Sequence, residues 1–157
     1  CRLSALCRSR GAAFVVNDRF DIALAAGAHG VHLGKEDLPV SAVRKIVPED
    51  FLIGATAHSS EEGRAAEEQG ADYVGIGAAF PTGTKTGASV IGVEGVRAIR
   101  EILSLPSVAI GGISEENAAE VLSAGVDGIA VVASVVGKRD IAGAARRMAE
   151  KVFSGRS

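Results

Sequence analysis

Apolar runs in this chain end, again and again, in clusters of polar residues. Ala12-Ala13-Phe14-Val15-Val16 runs into Asn17-Asp18-Arg19, and Val31-His32-Leu33-Gly34 into Lys35-Glu36-Asp37. Phe51-Leu52-Ile53-Gly54 runs into Thr56 and His58, and Tyr73-Val74-Gly75-Ile76-Gly77 into Phe80-Pro81-Thr82-Gly83-Thr84-Lys85. A short apolar run bounded by turn residues reads as a strand covered on both faces, the parallel strand of an α/β protein. Polar groups set down at the C-terminal ends of successive parallel strands are how a (β/α) barrel assembles a site.

The rest of the chain keeps this rhythm. The patterning predicts strands near 12–16, 30–33, 51–57, 72–77, 107–110 and 127–132. Helices are predicted near 1–9, 19–27, 40–46, 59–70, 93–104, 115–124 and 139–153. Strand and helix in regular succession argue for a parallel sheet with right-handed crossovers. A repeat runs through it: Ala26-Gly27-Ala28-His29-Gly30-Val31, Gln69-Gly70-Ala71-Asp72-Tyr73-Val74 and Ala124-Gly125-Val126-Asp127-Gly128-Ile129. In each copy a helix ends at a glycine cap and a short polar turn leads into a strand. The expected fold is an α/β TIM (β/α)8 barrel, of which about six βα units, the third to eighth strands, are present in one partial domain over 1–157. A six-stranded open sheet is the alternative.

Composition narrows the class. Hydrophobic residues make up 47% of the 157 and aromatics 4%, so the core must be built of Val, Ile, Leu and Ala. A net charge of -2 with scattered basic residues gives no footprint for nucleic acid. No apolar run approaches the roughly 20 residues of a membrane span. Cys1 and Cys7 read as free thiols of a reducing, cytoplasmic compartment.

Several constellations carry chemistry. Gly111-Gly112-Ile113-Ser114 and Ala133-Ser134 follow the last two strands, where such barrels hold a phosphate on backbone N–H groups and a short helix N-terminus. Asp18 and Asp37 follow neighbouring strands and suit Mg²⁺, which takes one or two carboxylates beside phosphates and waters; helix caps at 19–27 and 40–46 are the plainer reading of the same pair. Thr82, Thr84 and Lys85 offer two hydroxyls and an ammonium to an anionic substrate, or form a solvated loop. His58 stands at a strand end, as an acid or base or as a hydrogen-bonded structural group. His29, in a turn, and His32, in a strand, read as structural.

Asn17-Asp18-Arg19-Phe20-Asp21-Ile22-Ala23, Gly30-Val31-His32-Leu33-Gly34-Lys35-Glu36-Asp37-Leu38-Pro39, Phe80-Pro81-Thr82-Gly83-Thr84-Lys85 and Ala109-Ile110-Gly111-Gly112-Ile113 together resemble the thiamine-phosphate synthase family over nearly the whole chain. The resemblance implies an eight-stranded TIM barrel that joins hydroxymethylpyrimidine diphosphate to hydroxyethylthiazole phosphate, yielding thiamine phosphate and pyrophosphate. It implies Mg²⁺ on Asp18 and Asp37 and a pyrophosphate contact at Asn17. It implies a cation on the leaving diphosphate at Lys85, and thiazole-phosphate contacts at Thr82, Thr84 and the N–H groups of Gly112, Val132 and Ala133. Thr56 falls where the family commonly has Ser, keeping a catalytic hydroxyl, and Lys35 replaces a common Gln. The family's Gln-x-Arg-x-Lys segment on its second strand has no counterpart among these residues. The partners implied are small molecules and, in a barrel with two open edges, another copy of the chain. A related thiazole tautomerase using His58 without metal, and a truncated barrel that only binds phosphate, are the competing readings.

Overall fold

In a computed structural model, which describes residues 1–83 and 89–154, helix and strand alternate throughout the described residues. The order is α1 (Arg2–Ser9), β1 (Val15–Asn17), α2 (Phe20–Ala25), β2 (Gly30–Leu33), α3 (Val40–Arg44), β3 (Leu52–Ala57), α4 (Ser60–Glu68), β4 (Tyr73–Gly77), α5 (Gly92–Glu101), β5 (Ser107–Ile110), α6 (Ala118–Leu122), β6 (Gly128–Ala130) and α7 (Ile141–Ser154). The strands stand side by side in chain order, and every neighbouring pair is parallel.

The two faces of this sheet differ in chemistry. Side chains alternate along a strand, so Val31, Leu33, Ile53, Ala55, Val74, Ile76 and Ala109 share one face. All are buried in one apolar cluster with helix residues such as Val43, Ala66, Val96, Ile99 and Val121. The other face is nearly stripped of aliphatic bulk. Asn17, His32, Gly54 and Tyr73 lie in one lateral row, each in register with the next. Thr56, Gly75, Val108 and Gly128 form a second row, and Gly77, Ile110 and Ala130 a third. Residues of both outer strands, Asn17 of β1 and Ala130 of β6, line the same cavity. The sheet is therefore curled into a half-barrel with this face inside.

The sequence repeat proves to be the device that closes the bottom of the half-barrel. Gly27, Gly70 and Gly125 all adopt positive φ (62°, 89° and 86°), as left-handed caps require. Two residues on, the N–H of His29, Asp72 and Asp127 donates to the carbonyl of Phe14, Ile53 and Ser107 at 2.8, 2.8 and 2.9 Å. The side chains of the same three residues accept the N–H of Phe14, Ile53 and Ser107 in return, at 2.9, 2.7 and 2.8 Å. Arginines close each cap from the neighbouring helix: Arg8 donates to Gly27 O, Arg44 to Gly70 O and Arg100 to Gly125 O, at 3.0, 2.9 and 3.0 Å. Each turn thus pins the start of one strand to the start of the next.

Most elements are shorter than the patterning predicts, and β1, expected near 12–16, stands later, at Val15–Asn17. The helix expected near 115–124 begins only at Ala118, because Asn117 Oδ1 accepts the Ser114 N–H at 2.8 Å and holds 114–117 in a turn. The strand expected to reach 132 ends at Ala130. No helix of the described residues is long and apolar enough to cross a membrane.

Candidate active site

The inner rows open at the C-terminal ends of the strands onto a cavity of about 250 Å³. Its wall gathers Asn17, Asp18, Thr56, Thr82, Gly112, Val132 and Ala133, together with His32, Gly34, His58 and Ser134. Seven residues singled out in the sequence thus meet at one mouth, although they come from five separate strand ends. Thr84 and Lys85 lie outside the described residues.

Asp18 is held in a costly conformation. Its φ is 66°, the one positive φ of a non-glycine residue among those described. The N–H of Arg19 donates to Asn17 O at 2.7 Å across Asp18, and the Asp18 N–H donates to His32 O at 2.8 Å. A three-residue turn is thereby clamped to β2, with the carboxylate at its apex. Such strain is kept where a side chain must be aimed. Asp18 does not cap α2, whose first turn has no side-chain cap bond and whose N-cap is Arg19. Arg19 turns away to pair with Asp21, whose carboxyl is held at about 2 by that hydrogen bond.

Asp37 does not cap α3 either; Pro39 stands at that N-cap. Its Oδ2 accepts the Gly34 N–H at 2.6 Å, folding the loop after β2 onto itself. Gly34 lines the cavity and Asp37 stands one hydrogen bond behind it. Two carboxylates on adjacent strand ends fit a Mg²⁺ that completes its shell with phosphate oxygens and waters. Among the described residues no group of three or more His, Cys, Asp or Glu is placed to hold a metal ion.

The turns after β5 and β6 leave backbone donors facing no described protein acceptor. The N–H groups of Gly112, Val132 and Ala133 donate to no acceptor among the described residues. Ser134 Oγ donates to Ile113 O at 2.7 Å and ties the two turns together. The short helix expected after the last strand is a single turn, with the N–H of Val135 and Val136 both on Val132 O at 3.1 and 2.9 Å. The glycines make room for a neighbouring loop. A Cβ on Gly112 would lie 2.5 Å from Pro81 O, and one on Gly111 2.6 Å from Ala78 Cβ. The loop after β4 packs there, with Ala79 and Phe80 N–H donating to Ile110 and Gly111 O at 2.9 and 3.0 Å.

His58 lines the cavity and is anchored to α4. Its N–H and its Nδ1 both meet Glu62 Oε2, at 2.8 and 3.2 Å, and Lys35 Nζ donates to Glu62 Oε1 at 3.1 Å. Burial pushes the Glu62 carboxyl up, but these hydrogen bonds outweigh it and hold it below the usual carboxylate value. His29 is structural, as expected, through its bond to Phe14. His32 is not only structural. It lines the cavity, with Nε2 2.9 Å from Thr56 Oγ1 and Nδ1 3.1 Å from the Tyr73 hydroxyl. Its spacing carried the signal, since His32 is two residues from Gly30 and on the face opposite Val31 and Leu33.

Residues 1–135 match the family model described as thiamine monophosphate synthase. The thiamine-phosphate synthase of Moorella thermoacetica is 50% identical over 152 residues, covering 96% of this chain and 72% of that protein. The thiamine-phosphate synthase of Methanospirillum hungatei is 50% identical over 149 residues, covering 94% of this chain and 72% of that protein. Among solved structures, thiamine phosphate pyrophosphorylase from Pyrococcus furiosus superposes with a TM-score of 0.93 at 46% identity, covering 99% of this chain and 74% of that one.

Proposed function

This chain belongs to the thiamine monophosphate synthase family, and on that premise we propose how its cavity performs the family's transfer. The enzyme is a transferase of thiamine biosynthesis. It joins hydroxymethylpyrimidine diphosphate to hydroxyethylthiazole phosphate, forming thiamine phosphate and pyrophosphate. The bond between the pyrimidine methylene carbon and the diphosphate oxygen breaks, the electron pair leaves with the diphosphate, and the thiazole nitrogen forms the new C–N bond. Negative charge grows on the leaving group, so the site must offer donors and cations there before the bond breaks.

Asp18 and Asp37 would hold Mg²⁺, which when bound supplies neutralising charge to the diphosphate. Asn17 and Lys85 contact the same group, the first with its amide and the second as a point charge. Thr56 presents a hydroxyl to it from β3. Thr82 and Thr84 bind the thiazole phosphate with the N–H groups of Gly112, Val132 and Ala133, which fixes the ring nitrogen opposite the carbon it attacks. The chain takes the place of the third to eighth strands of an eight-stranded TIM barrel, as one cytoplasmic domain that associates with its own copies.

The observation that carries this reading is the single cavity that brings Asn17, Asp18, Thr56 and Thr82 together with the turns at Gly112 and Val132. The test is thiamine phosphate formation by this chain given both phosphorylated substrates, with a Mg²⁺ titration and an EDTA arm. Product that appears with Mg²⁺ and vanishes with EDTA is expected. Undiminished thiazole isomerisation in EDTA would instead give His58 a proton-moving role, and tight thiazole phosphate binding without product would leave a barrel that only binds.

A further inference from the structure

On the inner face of the half-barrel the Thr56 hydroxyl is backed by two polar residues, His32 and Tyr73, that the synthase reading leaves unused. His32 sits between two glycines of the neighbouring strands. A Cβ on Gly54 would lie 2.5 Å from His32 Nδ1 and 2.2 Å from Tyr73 Cζ, and a Cβ on Gly75 2.9 Å from His32 Cε1. The missing side chains make the slot in which the imidazole stands. Its two nitrogens then face opposite ends of the half-barrel. Nδ1 meets the hydroxyl of Tyr73, the first residue of β4, and Nε2 meets Oγ1 of Thr56, near the end of β3 and on the cavity wall.

The phenol sets the direction of these hydrogen bonds. The Tyr73 phenol is half-buried, and burial pushes its ionisation up, so it carries its proton at neutral pH. Among the described residues its hydroxyl has one hydrogen-bond partner, His32 Nδ1. Were Nδ1 protonated, the phenol would lose the one acceptor that the described residues give its proton. A ring that keeps Nδ1 as the acceptor of that phenol carries its proton at Nε2 and donates it to Thr56 Oγ1. Thr56 has then given up a lone pair and not its proton, so its O–H is left to point at whatever fills the cavity.

We infer that Tyr73 and His32 are positioning residues that fix the Thr56 hydroxyl as a hydrogen-bond donor toward the anionic leaving group. This deepens the synthase reading and rests on it for the identity of the anion. A hydroxyl held this way meets charge as it develops without having to reorient. A Thr56 that instead donated to His32 could only accept, and would repel a phosphate oxygen.

The test combines a spectroscopic measurement and a double-mutant cycle. Nitrogen NMR of histidine-labelled protein, with the His32 signals among the three histidines assigned by their loss in His32→Gln, should show Nε2–H and a bare Nδ1; an Nδ1–H ring would overturn the inference whether or not the protein turns over. Tyr73→Phe should lower kcat about tenfold with KM little changed, less than the 10²–10³ lost with a direct donor. It should cost nothing further in a Thr56→Val background, because the two act as one unit. An equal loss in both backgrounds would overturn the inference. His32→Gln, which keeps an amide N–H at the Nε2 position, should retain more activity than His32→Asn, which does not. If the wild-type protein makes no thiamine phosphate, the synthase reading fails on its own, and the same cycle is read in the affinity for inorganic pyrophosphate.

Discussion

Asp37 Oδ2 and the Gly34 N–H are joined at 2.6 Å, so one carboxylate of the proposed metal pair also shapes the loop that lines the cavity. The two duties separate by substitution. Asp37→Asn keeps a side-chain oxygen for Gly34 and loses the charge. It should unfold within about 0.5 kcal/mol of wild type while its apparent Mg²⁺ requirement rises at least tenfold. Asp37→Ala loses both, and should also be destabilised by about 1–2 kcal/mol. At Asp18 the same logic runs through the backbone: Asn tolerates positive φ better than Ala, so Asp18→Asn should keep stability, Asp18→Ala should lose about 1 kcal/mol, and both should raise the apparent Mg²⁺ requirement. Urea unfolding beside Mg²⁺ titration of turnover checks all four.

Asp72 and Asp127 do equivalent work in separate copies of the repeat. Asp72 Oδ2 takes the Ile53 N–H at 2.7 Å and Arg44 at 2.5 Å, and Asp127 Oδ2 takes the Ser107 N–H at 2.8 Å with Arg100 at 3.6 Å. Replacing either by Ala leaves a strand-start N–H without its acceptor and should cost about 1–3 kcal/mol. The two turns share no partner, so the double variant should lose the sum within about 0.5 kcal/mol. A shortfall in urea unfolding of the double variant would show that the half-barrel melts in separate pieces.

Much of this could be read from the residues, and what could not has physical reasons. β2 and β5 stand where the patterning puts them, at Gly30–Leu33 and Ser107–Ile110, because glycine or proline turns bound both. The repeat was legible as a motif, but its side-chain acceptors were not. Nothing in the order of residues says that His29, Asp72 and Asp127 reach back across the sheet. Asp18 and Asp37 looked as much like helix caps as like ligands, and the structure removes the caps. The spacing puts His32 on the inner face, but it does not give the imidazole's partners, because Tyr73 reads as an ordinary strand residue. The two matter only through lateral register with Gly54, which depends on how three strands pair.

Stability should respond to pH at both ends, with opposite signs. Tyr73 binds its proton more tightly folded than unfolded. Its contribution is fully present below the ordinary phenol value of about 10 and is lost as pH rises through the folded value. Tyr73→Phe should flatten that alkaline fall. Glu62 releases its proton more readily when folded, so its contribution is present above the ordinary carboxylate value of about 4.3 and is lost as pH falls through the folded value. Glu62→Gln should be less stable than wild type at neutral pH and converge with it in acid. Denaturant midpoints measured across the pH range decide both, and a Gln variant that tracked wild type in parallel would remove Glu62 from the acid limb.

Three glycines separate backbone conformation from crowding. Gly11 has φ 65° and nothing within 4 Å of a built Cβ, so Gly11→Ala meets conformational strain alone and should cost about 1 kcal/mol. Gly77 has no such φ, but its Cβ would lie 2.3 Å from Ile110 O, so Gly77→Ala meets crowding alone, at about 1–3 kcal/mol. Gly112 has both, with φ 61° and the Pro81 carbonyl 2.5 Å away. Gly112→Ala should therefore lose the sum, about 2–4 kcal/mol. It should also displace the Phe80–Thr82 segment, whose Thr82 lines the cavity, weakening thiazole phosphate binding where Gly11→Ala does not. Urea unfolding and thiazole phosphate calorimetry on the three variants give the comparison. A Gly112→Ala protein with unchanged affinity would detach the Pro81 contact from the phosphate site.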